Sequence, residues 1–215
     1  MKKYLKKVTA VVIALTMIMA SSVSVFANTL KQTAYTQIHL ETGYILGSYH
    51  PTKDPAKFSM SQKLGTIKVT SIGHDGYYYY HFFPKKTGKT TITTKSKYDN
   101  SKRIFTIRKY ENPVSSIKIG DTTVKGSKFN KTDRIYLNYD KYVKQKNRLV
   151  ITPKKGWEVV RIRTLNKSGS KEYQSLSVFD KNSIKPTGGK GNYKLSIEFM
   201  NTKTYGRITE EIVFK

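Results

Sequence analysis

Residues 89–110, KTTITTKSKYDNSKRIFTIRKY, decide the fold class. In Thr91-Ile92-Thr93-Thr94 and again in Arg103-Ile104-Phe105-Thr106-Ile107-Arg108-Lys109, apolar and polar side chains alternate with a period of two. Successive side chains of a strand point to opposite faces, so this pattern gives one face to a core and one to water. Between the two runs stand Tyr98-Asp99-Asn100-Ser101, residues that favour tight turns. The segment reads strand, turn, strand.

Working outward, the same alternation recurs at 66–72, 148–152, 158–163, 194–199 and 208–214. Asp75-Gly76 separates 66–72 from the aromatic run 77–83, and Asp-Gly is a strong hairpin pair. Lys154-Lys155-Gly156 joins 147–152 to 157–165 as a further expected hairpin, and residues 166–170 close the next. No segment after the leader holds a helical period over three turns. Short strands about ten residues apart, each followed by a turn, indicate an all-β protein built as a sandwich.

At Glu111-Asn112-Pro113 the pattern restarts. Proline cannot donate a ladder hydrogen bond, and Val114 opens a new strand containing Ser116-Ile117-Lys118-Ile119. The expected organisation is two tandem immunoglobulin-like β-sandwiches, residues 28–112 and 113–215, on a linker short enough to be semi-rigid. Trp157, the sole tryptophan, is the expected core anchor of the second.

The first 27 residues differ in kind. Lys2, Lys3, Lys6 and Lys7 precede an apolar run from Val8 to about Met19, then small residues ending Val25-Phe26-Ala27. Basic, apolar and small-residue regions in that order are a secretory signal peptide with cleavage expected after Ala27. Removing 27 of 215 residues leaves 188, and the processed chain is not expected to span a membrane. The predicted location is secreted or held at the cell surface. Absence of cysteine excludes a thiol nucleophile, a thiolate metal site and a lipid-modified cysteine, and leaves the fold to packing and hydrogen bonds.

Charge is the unusual bulk property. The chain carries +26, and loss of the four leader lysines leaves +22. Such a surface attracts polyanions with a strength that falls steeply with salt, and it also keeps a secreted protein soluble. Expected partners are an anionic cell-wall polymer or polysaccharide. The lysines are spread along the whole chain, so a diffuse field is expected, with no specific nucleic-acid motif.

The run Pro84-Lys85-Lys86-Thr87-Gly88-Lys89-Thr90-Thr91-Ile92-Thr93 resembles the closing stretch of group 2 bacterial immunoglobulin-like (Big) domains. In that family a turn and a final strand follow, here residues 103–110, and residues 112–119 are similar to the junction with the next module. The resemblance covers about residues 34–110. The family's tryptophan-centred core motif is replaced by Phe58-Ser59-Met60-Ser61-Gln62. The resemblance implies a spacer, adhesive or wall-associated role and carries no catalytic residues.

Candidate chemistry centres on Tyr77-Tyr78-Tyr79-Tyr80-His81-Phe82-Phe83. On a strand, Tyr78, Tyr80 and Phe82 share one face and Tyr77, Tyr79, His81 and Phe83 the other. One face belongs to the core; the other is either exposed or covered. Tyr78 and Tyr80, with Lys85 and Lys86 nearby in sequence, are the candidate ligand-binding residues, rings stacking on sugars while ammonium groups hold anions. Gly88-Lys89-Thr90 has no glycine five residues earlier and enters a strand, so nucleotide binding is not expected. His39, His50, His74 and His81 lack metal-motif spacing. Glu210 and Glu211 adjoin on a strand and must point to opposite faces, and nothing pairs Glu41 with Asp54 as glycosidase acids. No G-x-S-x-G elbow occurs. The expectation is a protein that is not an enzyme, with no cofactor and no metal.

Overall fold

The computed structural model describes residues 29–179 and 181–215, so the leader and its cut after Ala27 lie outside the described residues. The fold is all-β. In the first sandwich one sheet has the order β1 (Thr29–Tyr35), β7 (Lys102–Arg108), β6 (Gly88–Lys95), β3 (Lys57–Met60). The facing sheet is β2 (Tyr44–Tyr49), β5 (Tyr78–Pro84), β4 (Gly65–Ile72). The second sandwich pairs β10 (Arg134–Leu137), β16 (Arg207–Phe214), β15 (Tyr193–Asn201), β12 (Trp157–Leu165) and β13 (Glu172–Leu176) in one sheet. Opposite it lie β14 (Asn182–Ile184), β11 (Asn147–Pro153), β8 (Val114–Ile119) and β9 (Thr122–Lys125).

Both sandwiches follow immunoglobulin-like order. The last two strands share a sheet with an earlier strand that has crossed over (β3 or β12); between them β4 and β5 of the first sandwich and β14 of the second lie in the opposite sheet, while β13 stays beside β12 as an edge strand. In each, one early strand pairs parallel with the last, β1 with β7 and β10 with β16. The remaining pairings are antiparallel.

Alternation becomes burial as expected. On β6, Thr90, Ile92 and Thr94 are buried, and on β7 Phe105 and Ile107. They meet Leu46 and Phe82 from the facing sheet, the rings of Phe82 and Phe105 lying 4.9 Å apart. The second core joins Ile117, Ile119, Leu149 and Ile184 of one sheet to Leu195, Ile197, Phe199, Ile212 and Phe214 of the other.

The turns at Asp75-Gly76, 98–101 and 166–170 close antiparallel pairs β4–β5, β6–β7 and β12–β13. Lys154-Lys155-Gly156 does not. It carries the chain from β11 in one sheet to β12 in the other. Gly156 adopts φ +84° and the Trp157 amide bonds the Lys154 carbonyl at 3.0 Å, a tight turn that a hairpin would also use. Local turn chemistry does not report which sheet the next strand joins.

Residues on either side of Pro113 share no sheet, yet the halves are firmly packed together. Tyr35, the last residue of β1, lies in the core of the second sandwich, its ring 5.5 Å from Trp157. Trp157 is therefore buried, but at the junction. Gly206 lies flat against that ring, where an added Cβ would come within 2.6 Å of Tyr35 Cε2. The linker itself is fixed to the second sandwich: Asn112 Nδ2 donates to the Gly126 carbonyl at 2.8 Å, and its Oδ1 accepts from Val114 N at 2.8 Å.

Because Tyr35 closes a core it does not belong to in sequence, Tyr35→Ala is expected to lower the unfolding free energy by about 3–5 kcal/mol, the range for large buried aromatics. Urea denaturation followed by Trp157 emission checks this, with a red-shifted native spectrum as the ring's cover is lost.

Candidate functional site

The junction is held by one carboxylate. Asp133, fully buried just before β10, accepts hydrogen bonds from three successive amides of the first sandwich. The Ile38 and Leu40 amides reach Oδ2 at 2.6 and 3.1 Å, and the His39 amide reaches Oδ1 at 2.8 Å. Amide bonds to an ionised carboxylate are roughly twice as strong as neutral ones, and here they offset the cost of burying the charge.

Beside it sits a second acid of opposite behaviour. Glu210 is buried, and burial pushes its carboxyl up to about 9, aided by the neighbouring Asp133 charge and opposed by the Tyr110 hydrogen bond and Lys154. Tyr110 Oη lies 2.7 Å from the Phe129 carbonyl, 3.1 Å from that of Thr132 and 2.8 Å from Glu210 Oε1. One hydroxyl hydrogen cannot serve three acceptors. With that one hydrogen shared among three acceptors, Glu210 receives too little donation to hold a buried charge and keeps its own proton.

Adjacent Glu211 points to the other side of β16, as alternation requires. Its Oε2 takes Arg134 Nη2 at 2.9 Å and Nε at 3.1 Å, and its Oε1 takes Lys194 Nζ at 2.8 Å. Cross-strand register puts these together: Arg134 faces Glu211, and Lys194 faces Val213, the next outward residue of β16. They line a cleft of about 460 Å³ between the sandwiches, walled on one side by Thr70, His81 and Phe83 and on the other by Arg134, Arg163 and Lys194. A second groove of about 420 Å³ shares Arg134, Lys194 and Glu211 and continues past Tyr136, Lys167, Lys190 and Lys215. Glu41 also lines the cleft, so the basic excess is concentrated in the second groove, which forms a basic track.

The residues singled out from sequence fall elsewhere. Tyr80 contributes its half-buried ring to the first core, 5.0 Å from Phe58 and 6.0 Å from Tyr49. Tyr78 is half-buried at the start of β5. Lys85 and Lys86, both exposed, follow the strand's far end, about 20 Å away at the strand rise per residue. Lys85 is tied to Glu41 at 2.5 Å, and Lys68 reaches the same carboxylate at 2.6 Å. These two ammonium groups hold Glu41 down at about 2. The rings and the lysines are thus not brought together.

Glu41 and Asp54 sit in separate networks, since Asp54 accepts from the Lys97 amide at 2.8 Å. His81 bonds Thr70 Oγ1 at 2.7 Å, and burial holds its imidazole below the ordinary range. Among the described residues no group of histidines and acids is placed to hold a metal, and no helix is long and apolar enough to cross a membrane. Asp133 and the pairing of Glu211 with Arg134 and Lys194 were not singled out from sequence, where Glu210 and Glu211 were read only for the opposite faces they take. Only the pairing of acidic with basic residues on opposing strands signals them, and that needs the register.

No family model matches the chain, and no curated protein matches it. Among solved structures it is similar to the adhesin InvE of Yersinia pseudotuberculosis at 10% identity, covering 85% of this chain and 56% of that one, TM-score 0.25. Domains 4–9 of the surface layer protein SbsC give 12% identity, 86% and 30% coverage and TM-score 0.30. Fibronectin(III)-like modules of Clostridium thermocellum CbhA give 10% identity, 88% and 92% coverage and TM-score 0.28. The chain spans about half of the adhesin structure and under a third of the surface-layer one. At such scores the likeness has no bearing on function.

Glu210 makes stability depend on pH in a defined direction. Its folded value of about 9 lies above the ordinary 4.5, so its contribution is whole below about pH 4.5 and is lost as pH rises towards 9. Glu210→Gln keeps a neutral donor in place. Urea midpoints of the variant and the parent are expected to agree near pH 4.5, with the variant increasingly the more stable by pH 8.5.

Proposed function

We propose that this chain is an exported, non-catalytic pair of immunoglobulin-like modules acting at the cell surface as a stiff spacer or adhesive unit, its leader removed after Ala27. The observation that carries this reading is the junction: one buried carboxylate gripping three amides, with Tyr35 seated in its neighbour's core. A pair built this way transmits orientation from one end to the other, which a spacer needs and an isolated fold does not. The closing stretch at residues 84–93 supports kinship with group 2 bacterial immunoglobulin-like domains.

A second reading is favoured by the net charge and by the basic track: binding of an anionic cell-wall polymer or polysaccharide. Tyr78, Tyr80, Lys85 and Lys86 stand as a separate candidate patch for it. Loss of retention on a sugar polymer in Tyr78→Ala, with the fold intact, would favour that patch.

Stiffness is directly measurable. Asp133→Ala leaves three amides without their acceptor and is expected to cost on the order of 3 kcal/mol. Small-angle scattering should show a single compact tandem for the parent and a broadened distance distribution for the variant under folded conditions. An identical profile for both would remove the junction as the basis of the proposal. Fractionation of cells producing the full chain should find the protein outside, shortened by its leader.

A further inference from the structure

The groove along the outer face of β10, β16 and β15 differs from the rest of the lysine-covered surface in how its donors are committed. Five cations line it, Arg134, Lys167, Lys190, Lys194 and Lys215, against the single lining acid Glu211. Arg134 spends both Nε and Nη2 on Glu211, so the one planar fork present is occupied. One face of the Tyr136 ring is capped by Lys215 Nζ, 3.8 Å from its centre, while the side chain as a whole stays half exposed. Lys167 is exposed, and Lys190, paired at 2.5 Å with Asp140, keeps a 63% exposed side chain.

We infer that this groove binds a flexible linear phosphodiester polymer, of the polyol phosphate kind, along the track that runs from Lys190 and Lys167 to Lys194. The inference rests on the second reading above and deepens it by naming the site and the ligand chemistry. The reasoning is one of elimination by available groups. Planar carboxylates are recognised best by an open bidentate arginine, and bases or sugar rings by a free aromatic face. The arginine lining this groove is already paired with Glu211, and the groove's aromatic ring already carries an ammonium group on one face. The groove offers ammonium groups, which act as compact point charges with freely rotating donors and suit tetrahedral phosphate. Glu211, already neutralised by two cations, repels such a chain little.

The test uses the processed chain and a defined glycerol phosphate oligomer, with hyaluronan of equal charge as the carboxylate comparison. Lys167→Gln with Lys190→Gln is set against Lys89→Gln with Lys95→Gln, exposed lysines of the first sandwich that remove the same charge. The groove pair is expected to lose several-fold in affinity for the oligomer and to flatten the slope of log affinity against log salt by about 1.4, at roughly 0.7 per phosphate contact. The control pair should change little. Equal losses from both pairs would show a diffuse field and overturn the site. Tighter binding of hyaluronan, or a larger loss from Tyr136→Ala than from the groove lysines, would overturn the phosphate assignment. If the parent binds neither polymer, the polyanion reading itself fails and this inference with it.

Discussion

A charge removed from water must be met by donors, and in this molecule that requirement joins two folded units into one. Asp133 lies at the entrance to β10, and among the described residues the hydrogen bonds to its carboxylate oxygens come from outside its own sandwich. The donors belong to the backbone of residues 38–40. Backbone amides cannot move without moving the sheet they lead into, so the demand of one side chain fixes a whole module. Tyr35 and the packed linker around Asn112 act in the same sense, but through shape.

The neighbouring acids show three electrostatic problems solved side by side. Glu210 turns inward to a tyrosine and keeps its proton, Glu211 turns outward and is neutralised by Arg134 and Lys194, and the Asp133 carboxylate beside them stays buried on amides. In a chain with 40 basic and 14 acidic residues, three of the acids meet beside this junction. The excess of lysine is left for the exterior.

The class of fold was legible because period-two alternation is a local property. Thr90, Ile92 and Thr94 are buried as their spacing demands, and the opposed directions of Glu210 and Glu211 follow from adjacency alone. Sheet membership was less accessible. Lys154-Lys155-Gly156 has the chemistry of a hairpin turn but changes sheets, since a tight turn constrains direction over four residues and not the partner that follows. The tyrosine run shows the same limit: its two faces could be separated by counting, but only packing against Phe58 and Tyr49 shows that Tyr80 lies on the inner one. The basic track was invisible because its members come from three strands and two loops, and their convergence depends on register.

The parallel pairing of β1 with β7 has a mechanical meaning. Thr29 opposes Lys102 and Tyr35 opposes Arg108, so tension entering at the start of β1 and leaving at the end of β7 pulls the two strands lengthwise past each other. All rungs between them then stretch together, whereas an antiparallel hairpin pulled from its open end gives way one rung at a time. The first sandwich is consequently closed by a seam that resists traction along the chain far better than its modest core alone would suggest.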